Sequence, residues 1–143
     1  MRMKKFSLKN LFNKKKEYNK MHQYQKSFME SKDRLDREDI ISDLQTENHL
    51  IQYLLQNQKL PGKYRSRDFN PSYNIQDAMD FLEYVYPEYS LNITSTNGLH
   101  QIDLTTNNIA SVSISKKSKW LAKAIFMAMV EDFYHTYEWP KLD

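Results

Sequence analysis

Three side chains near the end of the chain, Glu131, His135 and Glu138, stand at i, i+4 and i+7. That spacing puts two carboxylates and an imidazole on one side of a helix, where they could face a divalent ion. Asp132 reaches the same histidine at i+3. A metal needs further ligands and supporting hydrogen bonds, and helix ends carry charges for solubility, so no metal is expected here. The rest of the catalytic inventory is thin. His22, His49 and His100 fall in separate stretches, and zero cysteines exclude a disulfide framework and thiolate-bound zinc. Gly62 and Gly98 are too few for a loop that cradles phosphate. Ser111, Ser113 and Ser115 alternate along a strand with no base beside them and read as its polar side. Neither an enzyme nor a cofactor is expected.

Charge and rings offer binding chemistry instead. Residues 1–26 hold nine basic residues against the single acid Glu17, a net +8, so the rest of this +3 chain carries −5. An arm with Lys4, Lys5, Lys14, Lys15 and Lys16 is steered towards nucleic acid, an anionic lipid surface or an acidic protein. On nucleic acid its lysines would neutralise phosphates while Tyr18 and Tyr24 stack on bases. On a membrane, Met3, Phe6, Leu8, Leu11 and Phe12 would lie in the interface. Without either partner the segment is a solvated, flexible tail. A second cationic stretch, Lys63, Arg65 and Arg67 with Tyr64 and Phe69, could bind phosphate and stack a base, or pair with Asp68. The protein-binding candidates are Tyr84, Tyr86, Tyr89, Tyr134, Tyr137 and Trp139, large rings with polar tips of the kind enriched at interfaces.

These residues need elements to position them, and the hydrophobic spacing supplies an α+β set. Ser72 or Asn74 caps a helix whose Ile75, Ala78, Met79, Leu82, Val85 and Tyr86 share a face, and Pro87 ends it. Tyr89, Leu91 and Ile93 then alternate with Ser90, Asn92 and Thr94 as a half-buried strand. Asn97 and Gly98 make a tight hairpin turn, Ile102 and Leu104 return, and Asn107 with Asn108 leads into a third strand through Ala110, Val112 and Ile114. A last helix starts near Ser115 or Ser118 and carries Trp120, Leu121, Ala124, Ile125, Ala128, Met129 and Phe133. Phe126, Met127 and Val130 widen its apolar arc, which predicts cover on more than one side. Lys116, Lys117, Lys119 and Lys123 crowd its start, against the helix dipole, and read as a solvated cluster.

Upstream, Leu35, Ile40, Ile41, Leu44, Ile51, Leu54 and Leu55 predict one long helix that Pro61 and Gly62 stop. Asp36, Glu38, Asp39, Asp43 and Glu47 suit its early half, where the dipole favours acids. It packs on the following domain or, through residues 33–59, on a second copy as a homodimer. The expected organisation is a flexible basic arm over 1–30, an amphipathic helix over 31–60 and a linker over 61–72. A small α/β/α sandwich over 73–139 follows, a three-stranded antiparallel meander packed with two flanking helices.

The run PSYNIQDAMDFL from Pro71, the strands after it, and SKWLAKAIFMAMV from Ser118 together resemble the phage ABA sandwich domain. Tyr73, Asn74, Ala78, Leu121, Ala122 and Ala128 are the aligning positions, and the likeness covers roughly the second half of the chain. It implies a small protein encoded by a bacteriophage or prophage, and no reaction. A mean hydropathy of −0.80 and no long apolar run leave no membrane span. The start of the chain lacks the unbroken apolar core of a signal peptide. The function expected is that of a phage accessory protein binding a host or anti-phage-defence protein in the bacterial cytoplasm. Nucleic-acid association or membrane tethering through residues 1–26 is the alternative.

Overall fold

In a computed structural model, residues 8–37, 44–56, 58–62, 68–107 and 113–139 are described, with side chains from Phe12 onwards. They form α1 (Leu8–Leu35), α2 (Leu44–Leu55), α3 (Ile75–Val85), β1 (Tyr89–Thr96), β2 (Leu99–Thr106), β3 (Ser113–Ser118) and α4 (Leu121–Thr136). Every other helix and two of the three strands pack on α4. Its wide apolar arc is the reason: all nine residues from Ala122 to Val130 are buried, because the helix is covered from several directions at once.

The strands run antiparallel in the order β1-β2-β3. Asn97 and Gly98 both have positive φ, 53° and 76°, as a two-residue turn between right-twisted strands requires. The register pairs Ile93 with Ile102 and Leu91 with Leu104, then Leu104 with Ile114, so these apolar residues share one side of the sheet. α4 lies against β2 and β3 there, and α3 packs on α4. The opposite side presents Ser90, Asn92, Thr94, Thr105, Ser113, Ser115 and Lys117, all exposed. The architecture is therefore α+β, a meander preceded by a long helix, with α3 and α4 gathered over one face. Asn74 caps α3 by accepting a hydrogen bond from the Asp77 N–H at 3.0 Å, which satisfies one of the free donors of the first turn.

Three expectations change. The last helix starts neither at Ser115 nor at Ser118, since both lie in β3, where Ser118 pairs with His100. Trp120 is the residue that caps α4, in extended backbone and without a side-chain bond. Residues 8–30, expected as an arm, are helical: α1 runs unbroken to Leu35, and Phe28, Ser31 and Leu35 give it a buried stripe. The helix expected over 31–60 is split between the end of α1 and α2, while Ile40 and Ile41 lie outside the described residues. Leu50, Ile51, Leu54 and Leu55 are buried within the chain. Their burial is the intrachain packing expected of this stretch as the alternative to a second copy. The third-strand residues Ala110 and Val112 also lie outside the described residues.

Candidate nucleic-acid interface

α1 is anchored only by its second half. Phe12 and the residues to Lys20 are exposed, except for a half-buried Tyr18, and Phe28 is the first fully buried side chain. At 1.5 Å per residue, the stretch from Phe12 to Lys20 is about 12 Å of helix standing clear of the body. At 3.6 residues per turn, Lys15, Lys26, Lys16 and Lys20 fall within an arc of about 140°. That arc points away from the side of Phe28 and Leu35. Phe12, Asn19 and Gln23 fill its gaps, Phe12 being 71 % exposed. Glu17 and Lys14 fall on the other side. Between Lys15 and Lys26 no acid falls on this arc, and Glu30 and Asp33 follow on it one to two turns later. Lys4, Lys5, Lys63, Arg65 and Arg67 lie outside the described residues.

The six aromatic candidates are mostly engaged inside the chain. Trp139 packs on Phe28 with ring centroids 5.4 Å apart, Tyr137 stacks on Phe133 at 5.0 Å, and Tyr24 meets Tyr53 at 4.4 Å. The Trp139 Nε1–H donates to the Tyr134 carbonyl, and the Tyr53 hydroxyl donates to the Tyr24 carbonyl, each at 3.0 Å. Together these rings fasten the residues just after α4, and α2, onto α1. Burial, then Tyr137 and Tyr53, push the Tyr24 hydroxyl up to about 12. The Tyr86 hydroxyl donates to the Met129 carbonyl at 3.3 Å and is held far above its ordinary value by burial and by Asp132. Tyr89 donates to Glu83 at 3.4 Å. Only Tyr84, 38 % exposed, presents a large open face, and its hydroxyl reaches the Lys59 carbonyl at 3.0 Å. Two adjoining clefts, about 270 and 340 Å³, share Val85, Tyr86 and Thr136. Tyr84 lines the first, Asp132 the second.

Glu131 and His135 do meet, at 3.3 Å, but Glu138 lies past the end of α4 and off the helical spacing. The Glu131 carboxylate serves a different purpose. Lys32 of α1 and Lys116 of β3 approach it at 2.5 and 3.4 Å, and both also reach Asp36, at 2.7 and 3.5 Å. Burial raises Glu131, yet the two ammonium groups outweigh it and hold the carboxyl below its ordinary value. Burial likewise pulls Lys32 down, while Asp36 and Glu131 carry it above the ordinary lysine value. Lys123, read from the sequence as solvated, is fully buried and donates to the Arg37 carbonyl. These lysines close the end of α1 onto the sheet and α4. Three of these contacts, Lys32 with Glu131, Lys116 with Asp36 and Lys123 with Arg37, span 80 residues or more of sequence, which no local spacing reveals.

Glu47 stands in the first turn of α2, where the sequence spacing puts an acid near a helix start. There it is 1 % exposed and accepts from both the N–H (3.1 Å) and the hydroxyl of Ser72. Its Oε1 has no partner among the described residues. Burial raises its pKa, Ser72 opposes that, and Asp77 adds to the rise. Among the described residues no cluster of three could hold a metal ion, and no helix is long and apolar enough to cross a membrane. No family model, no curated protein and no solved structure matches this chain.

Proposed function

We propose that this protein binds nucleic acid through the outer stripe of α1, as an accessory factor without catalysis of its own. The observation that carries this reading is the grouping of Lys15, Lys16, Lys20 and Lys26 on the arc of α1 that faces away from the body. Cations fixed along a helix can follow a phosphate backbone, releasing its counterions without reading sequence. A membrane-surface role needs an apolar face along the helix, and Phe12 is the one large exposed apolar side chain described on this part of α1. Nucleic acid is therefore favoured over lipid.

The test is fluorescence anisotropy of labelled DNA and RNA oligonucleotides against salt. Four phosphate contacts predict a loss in duplex affinity of about a hundredfold between 50 and 200 mM salt. The triple variant Lys15→Glu, Lys16→Glu, Lys20→Glu should bind at least as weakly as a protein short of three contacts, its salt slope falling by about three. Affinity that ignores both salt and these charges, or binding to anionic vesicles alone, would overturn the reading.

A second reading rests on Tyr84 and the two clefts beside Tyr86. An exposed ring over a groove with polar walls suits a protein segment, and the likeness to a phage domain suits a host or defence protein as the target.

A further inference from the structure

The two edges of the sheet differ in a way the function above does not use. β3 carries Lys116, turned to Asp36 and Glu131, and the exposed Lys117, the kind of charge that discourages another strand from pairing alongside. β1, Tyr-Ser-Leu-Asn-Ile-Thr-Ser-Thr, holds no charge, no proline and no glycine over eight residues. Asn92 to Thr96 are all exposed, and Ile93 is 47 % exposed although its partner across the strands, Ile102, is fully buried. The apolar side of β1 thus extends past the cover that α4 gives to β2 and β3.

The turn fixes which backbone groups are left over. In a two-residue hairpin the flanking pair, here Thr96 and Leu99, exchanges both backbone bonds, and the bonding then alternates along the strand. Thr94, Asn92 and Ser90 therefore point their N–H and C=O groups at β2. Those of Ser95, Ile93, Leu91 and Tyr89 point outwards, along an edge that no strand among the described residues pairs with.

We propose that β1 pairs with β1 of a second copy across a two-fold axis at Asn92, joining two meanders into one six-stranded antiparallel sheet. This register sets Leu91 opposite Ile93 of the other copy, twice, and Tyr89 opposite Ser95, through the outward backbone groups. On the far side of the sheet Ser90 meets Thr94, and Asn92 meets its own symmetry mate. No like charges are brought together, and the half-exposed Ile93 gains a cross-strand apolar neighbour. The contact uses the same patch on both copies and the lysine-bearing edge is unsuited to it, so assembly closes at two.

Sedimentation of the full chain across a concentration series should show a monomer and dimer in exchange at micromolar concentrations, and Ile93→Lys should leave only monomer. Because the chain has no cysteine, Asn92→Cys introduces a unique thiol at the axis, on an exposed position that leaves the core untouched. Under mild oxidation it should form a disulfide-linked dimer at least tenfold faster than Ser115→Cys, which lies on the same side of the sheet but on β3. Monomer at every concentration, a dimer indifferent to Ile93→Lys, or equal cross-linking of the two cysteine variants would each overturn the proposal.

Discussion

Two glutamates in this protein, Glu47 buried and Glu131 half-buried, titrate in opposite directions because only one has cations beside it. Glu131, between Lys32 and Lys116, is easier to ionise in the folded chain. Its contribution is present above the ordinary value of 4.5 and is lost as pH falls through the lower folded value. Glu47, with Ser72 as its donor and Asp77 nearby, is harder to ionise. Its contribution is complete below 4.5 and is lost as pH rises through the higher folded value. Glu47→Gln keeps an acceptor for Ser72 while removing the charge, so its thermal midpoint should exceed that of the parent at pH 7, and the difference should close below pH 4.5. Circular dichroism melts at the two pH values decide the matter, and an unchanged midpoint at pH 7 would show that the charge is compensated. The sequence showed Glu131 as a candidate metal ligand set aside for a helix-end charge, and Glu47 as an acid suited to a helix start. What sets them apart is burial and the arrival of Lys32, Lys116 or Ser72 from distant segments.

Elements whose information is local were readable from the chain, and those that depend on a distant partner were not. Asn74, Pro87 and the Asn97-Gly98 pair each act within a few residues, and α3 and the β1-β2 hairpin follow as expected. The start of α4 was misjudged because Ser113 to Ser118 satisfy helix and strand patterns alike, and the choice falls to β2, which supplies the ladder. α1 was hidden for a related reason. Its buried stripe of Phe28, Ser31 and Leu35 is short and mostly polar around it, so tertiary packing rather than periodicity gives it away. Phe28 contacts Tyr53, Phe133, Tyr134 and Trp139, and Phe28→Ala should lower the unfolding free energy by ~3 to 5 kcal/mol. Urea denaturation measures this, and a change below about 1 kcal/mol would place the ring outside the core.

At the scale of the whole molecule the chain divides into a body built on α4 and a cationic rod that leaves it. Removing residues 1–20 takes away the exposed stretch but retains Tyr24, Phe28 and the rings they touch, so the melting midpoint should hold within a few degrees while oligonucleotide binding is abolished. An interaction with a protein through Tyr84 should survive the same truncation, which separates the two readings in a single binding assay. The candidate site was legible as composition, since the lysines of residues 1–26 stand out in the sequence. Its geometry was not, because their arrangement on one arc matters only once the segment is helical. That helix owes its existence to its docked half. A free peptide of this length must first form a turn at a loss before each further residue adds a bond, whereas here the turns around Phe28 already stand and the winding grows outward from them. The lysines therefore meet a partner at spacings set in advance, and fraying begins at the tip and moves inward, so affinity should fall stepwise as the rod is shortened from its far end.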